Sequence, residues 1–310
     1  MANTIQTVTG TCRPAELGLT LMHEHLIIGW PGWDADTAAA RFDRREAKRL
    51  CVDRMLELKE LGVSALVDPC PIDLGRDVEF AAEVSQAAGV RIVCATGLYK
   101  EESGAAPYFK FRGQFTDSIA EMAEIFIKEI EQGIGSTGIK AGVIKVATGP
   151  HQVTPYERTV ITAAARAHKA TGTPITTHTD EGTMGREQLA ILTDEGVDPT
   201  HVVIGHSCGT ADLRYHVDLL ERGVYLGFDR FGPSCSSPTA SASPRSSGCS
   251  VSGSNARSFS RTTPCGAGAA AGSRCPPSSW RRNGIHATSS STSFPPCARR
   301  VWRRRRSTRC

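Results

Sequence analysis

Residues 142–179 hold the unit from which the fold is read: Gly142-Val143-Ile144-Lys145-Val146-Ala147-Thr148, a helical stretch over 155–171, then Pro174-Ile175-Thr176-Thr177-His178-Thr179. Two short, largely apolar runs flank a segment signed at both ends. Thr154 stands at the N-cap, Pro155 in the first turn and Glu157 at the capping-box position, and Gly172 follows the last turn. Strand, helix and strand in that order predict a crossover unit with parallel strands.

The same order recurs outward from this unit. Strands are read at 20–26, 65–68, 91–96, 142–148, 174–179, 201–206 and 224–228. Helices fill the intervals at 46–61, 77–88, 117–132, 155–171, about 185–195 and 210–222, each stopping at a glycine: Gly62, Gly89, Gly133, Gly172, Gly196 or Gly223. Seven strands with crossovers fit either an open doubly wound sheet or most of an eight-stranded barrel. No Gly-x-Gly-x-x-Gly loop follows a strand, which weakens the dinucleotide-binding alternative, and the strands span nearly the ~250 residues of a typical barrel. The fold class expected is α/β, an incomplete (β/α)8 TIM barrel.

Composition divides the chain in two. Of 310 residues 40% are apolar, ordinary for a globular protein. The net charge of +4 conceals a split: all 32 Asp and Glu precede residue 233, whereas 233–310 carry 13 Arg, 20 Ser, no Leu, no Lys and no acid. Residues 1–232 are expected to form the barrel and 233–310 a disordered Ser/Arg-rich tail. The amino terminus lacks a basic segment followed by an apolar one, and no apolar run reaches the ~18 residues of a membrane span, so the expected location is cytoplasmic. Eleven cysteines divide irregularly, five before residue 233 and six after, with no C-x-x-C motif.

Polar residues fall at the strand ends. His23 and His25 end the first strand, Asp68 the second, His178 and His206 the fifth and sixth, and Asp229 and Arg230 follow the seventh. Parallel barrels build their sites at those ends. On a strand, His23 and His25 would share a face and could clamp one metal ion; singly, each histidine here is equally readable as a core or surface residue. Lys145 lies within an apolar strand, where a buried ammonium is costly. A neutral amine there can take up carbon dioxide as a carbamate, whose two oxygens could bridge two metals. The alternatives are a carboxylate-paired lysine or one snorkelling to the mouth. Together His23, His25, Lys145, His178 and His206 would form a nitrogen-rich divalent site suited to zinc, cobalt, manganese or iron.

The set Met22-His23-Glu24-His25, Gly138-Ile139-Lys140-Ala141-Gly142-Val143-Ile144-Lys145, Thr177-His178-Thr179, Gly205-His206 and Gly227-Phe228-Asp229-Arg230-Phe231-Gly232 resembles the phosphotriesterase family of the amidohydrolase superfamily, over residues from about 7 to 232. The resemblance implies two divalent metal ions, zinc foremost. His23 and His25 would hold one, His178 and His206 the other, and Lys145 as N6-carboxylysine would bridge them, with a bridging hydroxide attacking an ester. Gly97-Leu98-Tyr99 and Asp229-Arg230 resemble the lactonase-like branch, where the tyrosine lies beside the metals and the arginine lines the substrate pocket. That implies a small-molecule ester or lactone as substrate, promiscuous organophosphate hydrolysis and a possible homodimer; a membrane is not expected as partner for want of a long apolar run, nor nucleic acid on the favoured reading of the tail below. Gly209 stands where the phosphotriesterase itself has an acid, so that enzyme's proton relay is not expected here.

Two readings compete for the tail. One is a basic segment on an inactive barrel, binding nucleic acid through phosphate contacts. The favoured one is translation out of frame. Back-translated with suitable third bases and moved back one nucleotide, Phe259-Ser260-Arg261-Thr262-Thr263-Pro264 can read Leu-Ser-His-Asp-Ala, resembling the family's eighth-strand motif. Residues 289–297 can likewise read Leu-Phe-Glu-Asp-Ile-Ile-Pro-Ala-Leu, resembling its carboxyl-terminal helix. The chain as it stands is then expected to lack the eighth strand and last helix and to bind metal poorly.

Overall fold

The computed structural model describes residues 4–38 and 42–230, with the strand segments at 258–259 and 285–286. In chain order the elements are β1 (Ile5–Thr7), β2 (Gly10–Cys12), β3 (Leu19–Leu21), β4 (Ile28–Gly29), α1 (Arg44–Glu60), β5 (Val63–Asp68), α2 (Val78–Ala88), β6 (Arg91–Gly97), α3 (Ala106–Arg112), α4 (Ser118–Glu131), β7 (Val143–Thr148), α5 (Pro155–Thr171), β8 (Ile175–Thr179), α6 (Gly185–Asp194), β9 (Val202–Ile204), α7 (Leu213–Glu221), β10 (Tyr225–Gly227), β11 (Ser258–Phe259) and β12 (Ile285–His286).

Strand order decides between the two architectures. The main sheet runs β11-β10-β9-β8-β7-β6-β5-β3, every pair parallel and every strand beside its sequence neighbour in the series. A doubly wound sheet reverses direction at a switch point; a barrel does not. The sheet is thus a barrel wall, left open: among the described residues no pairing joins β3 to β11. The seven strands β3 and β5 to β10 lie in the barrel portion. Beyond it, β11 adds two residues beside β10 (Leu226↔Ser258, Gly227↔Phe259), and β12 pairs antiparallel with β4. The rest of the tail expectation lies outside the described residues.

Period-two alternation sorts the side chains into an outer and an inner core. In β7, Ile144 and Val146 pack outward under the helices, while Val143 joins Val67, Val93 and Ala95 inside the barrel. Lys145 therefore points inward. Ile5 on the β1–β2 hairpin packs against the inner cluster, and the hairpin is tied on by Val8 N–H donating to Ile92 O (2.8 Å). Gly97 lies where β6 passes β7: a Cβ there would sit 1.9 Å from the Lys145 carbonyl oxygen, and its φ of +112° is a glycine conformation.

Helix ends follow the sequence signals. Thr154 accepts the Glu157 N–H, Glu157 accepts the Thr154 N–H, and α5 stops at Gly172 with φ +73°. The glycines after α1, α2, α4, α6 and α7 also have positive φ. Three expectations need correction. The first strand ends at Leu21, so His23 and His25 sit in the following loop, not on a strand; Leu26 and Ile27 turn into the outer core, and Asp68 accepts the Leu26 N–H (3.3 Å). The sixth strand ends at Ile204, because His206 adopts left-handed φ +57°. The last helix begins at Leu213, capped by Asp212, rather than at 210. The hairpin and α3 carried no expectation. The one Gly-x-Gly-x-x-Gly spacing, Gly133 to Gly138, follows α4 and is a turn into β7.

Candidate metal centre

Lys145 is 1% exposed, and its Nζ lies 3.0 Å from His23 Nε2. Among the described residues that imidazole, not a carboxylate, is its hydrogen-bond partner, and the snorkelling reading fails on burial. Burial pushes the amine down to about 7, despite the opposing charge of Asp229. Around it stand the loop after β3, the end of β8 and the turn after β9. The rings of His23 and His206 are 4.4 Å apart, those of His178 and His206 4.6 Å, and those of His23 and His25 5.4 Å. The four histidines and Lys145 are brought to one mouth.

Carboxylates orient the imidazoles. Asp229 accepts from His206 Nδ1 (2.6 Å), lies 3.2 Å from His23 Nδ1 and also accepts the His206 backbone N–H. That clamp holds His206 in its left-handed conformation, which costs a non-glycine residue ~1 kcal/mol or more. Asp68 pairs with His25 Nδ1 (3.0 Å), and Asp180 with His178 Nε2 (2.6 Å). Lys100 in turn caps Asp180. Burial holds His23 and His178 well below the usual histidine range, with the Lys145 charge adding to it, and holds His206 down to about 3. Burial acts against the Asp229 carboxylate too, but His206 and His23 outweigh it and keep it well below the carboxylate range. Neutral His23, His178 and His206 beside an ionised Asp229 are the protonation states in which such groups bind metal.

Two groups of donor atoms each fall within 4.8 Å of one another: His23, His206 and Asp229, and separately His25, Asp68 and Cys70. The donor set fits divalent metal, though the geometry groups His23 with His206 rather than with His25. His178 belongs to neither group; its ring is edge-on to Tyr99, whose hydroxyl lies 3.3 Å from Nε2. The phenol is buried and its pKa raised by that burial and by Asp180. Arg230 hangs its backbone N–H on Cys208 Sγ (3.4 Å), and its charge reaches both Lys145 and His178.

Sequence reasoning missed Asp180, Lys100 and Cys70. It noted Asp229 at the mouth without giving it a ligand's position. An acid directly after the seventh strand, facing a histidine directly after the sixth, was the available signal for Asp229. The other three depend on loop paths that no periodicity reports.

A parallel α/β barrel with buried imidazoles, carboxylates and a lysine at the carboxyl ends of its strands is the arrangement of a barrel enzyme whose mouth offers groups that could hold metal. The phosphotriesterase family model matches residues 3–246, and the chain belongs to that family of hydrolases. The phosphotriesterase homology protein of Mycobacterium tuberculosis is 40% identical over 237 residues, 76% of this chain and 72% of that protein. Organophosphorus hydrolase from Deinococcus radiodurans superposes with a TM-score of 0.76 at 44% identity, covering 79% of this chain and 73% of the other. A structure described as organophosphate hydrolysis activity engineered from a weak promiscuous lactonase template gives 0.76 at 42% identity, covering 79% and 76%. The family is one of binuclear metal-dependent hydrolases, and relatives of this chain carry names as different as aryldialkylphosphatase, from Saccharolobus solfataricus, and N-acetyltaurine hydrolase, from Rattus norvegicus. No helix among the described residues is long and apolar enough to cross a membrane.

Proposed function

We propose that this chain hydrolyses lactones, with slower promiscuous turnover of organophosphate triesters, at a centre of two divalent ions held by His23, His25, His178, His206 and Lys145 as N6-carboxylysine. Zinc is the first choice; cobalt, iron or manganese suits the same donors. The observation that carries the reading is Lys145: a fully buried amine pushed to about 7, set 3.0 Å from His23. Deprotonated, that nitrogen can add to carbon dioxide and lose a proton to give the carbamate. Asp229, whose carboxylate lies within 4.8 Å of donor atoms of His23 and His206, would offer a further ligand.

When bound, the ions would supply Lewis acidity, lowering the pKa of water and polarising the ester oxygen. The chain's own residues orient and exclude. Asp68, Asp180 and Asp229 fix the imidazole rings. Tyr99, kept protonated by burial, offers a hydroxyl donor beside His178, and Trp30 stands next to it with ring centroids 6.1 Å apart. Arg230 brings a positive charge to the mouth, where it would line the substrate pocket.

The lactonase template among the structural neighbours and the paired Tyr99 and Arg230 support lactones over triesters. The test is kcat/KM for a series of lactones and for a dialkyl aryl phosphate, measured on metal-loaded protein. Lactone turnover is expected to exceed triester turnover and to fall at least ~100-fold in Lys145→Ala. Triester preference, or full lactone turnover in Lys145→Ala, would overturn the reading.

A further inference from the structure

Five cysteines lie among the described residues, all buried, and one of them, Cys70, falls in a group of metal-ligating side chains. Cys70 follows the mouth end of β5, is 2% exposed, and packs with Leu74, Tyr99 and Ala147 around the opening of the barrel. His25 and Asp68 are its companions. Asp68 Oδ1 lies 3.0 Å from His25 Nδ1 and accepts the Cys70 backbone N–H at 3.1 Å, so one carboxylate ties the other two residues together. The three donor atoms lie within 4.8 Å of one another. An imidazole, a carboxylate and a thiol at that spacing can fill three of the four positions around a tetrahedral ion.

Burial and the neighbouring Asp68 charge hold the Cys70 thiol well above its usual range, so without an ion the side chain is a protonated thiol. Packing is the ordinary reason for a buried cysteine, and the Cys70 S–H does donate to Leu74 O (3.2 Å) and Ile27 O (3.7 Å). Those weak bonds occupy the hydrogen and not the sulfur lone pairs. Cys51 and Cys94 make similar bonds to carbonyls yet belong to no donor group among the described residues.

We propose that Cys70 ligates, as a thiolate, the ion held by His25, making that half of the centre a mixed nitrogen, oxygen and sulfur site selective for soft divalent ions. The inference rests on the metal-centre reading above. On binding, the S–H bond breaks, its proton passes to solvent, and a sulfur–metal bond forms.

The experiment loads the full chain with cobalt(II) alone, to saturation, and reads bound cobalt by elemental analysis and the thiolate-to-cobalt charge-transfer band in the near ultraviolet. Cysteines beyond residue 232 add a background, so the band is compared between variants. Cys70→Ser and His25→Ala are each expected to lose the same share of the band, and Cys94→Ser, an equally buried cysteine outside the group, to lose none. Cys70→Ala repeats the measurement without introducing a hydroxyl, with circular dichroism reporting the fold of each variant. Unaltered cobalt content with an unchanged band in both Cys70 variants would overturn the thiolate ligand and leave the two-metal reading standing. A wild-type chain that binds no cobalt would overturn both.

Discussion

The role proposed for Lys145 rests on its burial. Its ordinary pKa of 10.5 is lowered to about 7 because the ammonium loses its water inside the barrel. Between those values the unfolded chain binds the proton and the folded chain does not. Stability contributed by this residue therefore rises with pH across that window, and the penalty is fully present below about 7. Denaturant titrations at pH 7 and pH 10 are expected to show a smaller rise in the metal-free Lys145→Met variant than in the parent; an equal rise would contradict it. Asp229 acts on its neighbours. Asp229→Asn keeps the shape but removes the charge that holds His206 and His23, so metal affinity is expected to fall by ~10–100-fold in equilibrium dialysis. Burial also raises the thiols of Cys51 to about 11 and Cys94 to about 12. Both should resist alkylation at pH 8 in the native chain and react on unfolding, as read by peptide mass mapping.

The strand ends are held by close backbone contacts that admit little change. A Cβ on Gly205 would lie 2.1 Å from the Thr177 carbonyl oxygen and 3.3 Å from His23 Nδ1. Since the nearest obstacle is backbone, Gly205→Ala is expected to cost ~1–3 kcal/mol in denaturant unfolding and to weaken metal binding with it. Glu157 is the corresponding point on α5: its carboxylate accepts the N–H groups of Thr154 (3.0 Å), Gly149 (3.0 Å) and Glu101 (3.3 Å), so Glu157→Ala should cost ~1–3 kcal/mol. That capping box was legible in the sequence, as were the helix-ending glycines, because each rests on local chemistry. The seven wall strands were legible through their apolar runs, though their ends were not. The His23 loop was misread as strand because His-x-His fits strand alternation, and only the burial of Leu26 and Ile27 shows that the chain turns there. Helix α3 escaped because Tyr108 and Phe111 are more than half exposed, so its apolar residues mark no single face. Four imidazoles and Lys145 could be placed at the mouth from strand ends alone; Cys70 and Asp180 could not, since loop paths bring them in.

For the whole molecule, winding in one direction gathers the residues that follow successive strands into one mouth, and this is why separate short motifs make one centre. Closure is the weak point of the described barrel. β3 and β11 are its edges, and β11 contributes two residues, Ser258 and Phe259, the second of which opens the stretch whose alternative frame reads Leu-Ser-His-Asp-Ala. Sequencing the gene across the codons for Phe231 to Cys235 in independently prepared DNA is expected to reveal a lost or gained base; an uninterrupted frame would remove that explanation. Restoring the frame should raise both melting temperature and metal affinity, since a complete eighth strand covers exposed edges and adds an acid to the mouth. The central claim, a two-metal centre built on Lys145, is tested most directly by elemental analysis of the frame-restored protein after reconstitution with zinc and bicarbonate. About two zinc ions per chain, falling to one or fewer in Lys145→Ala, is the predicted result; no bound zinc, or two zinc ions retained without Lys145, would contradict it.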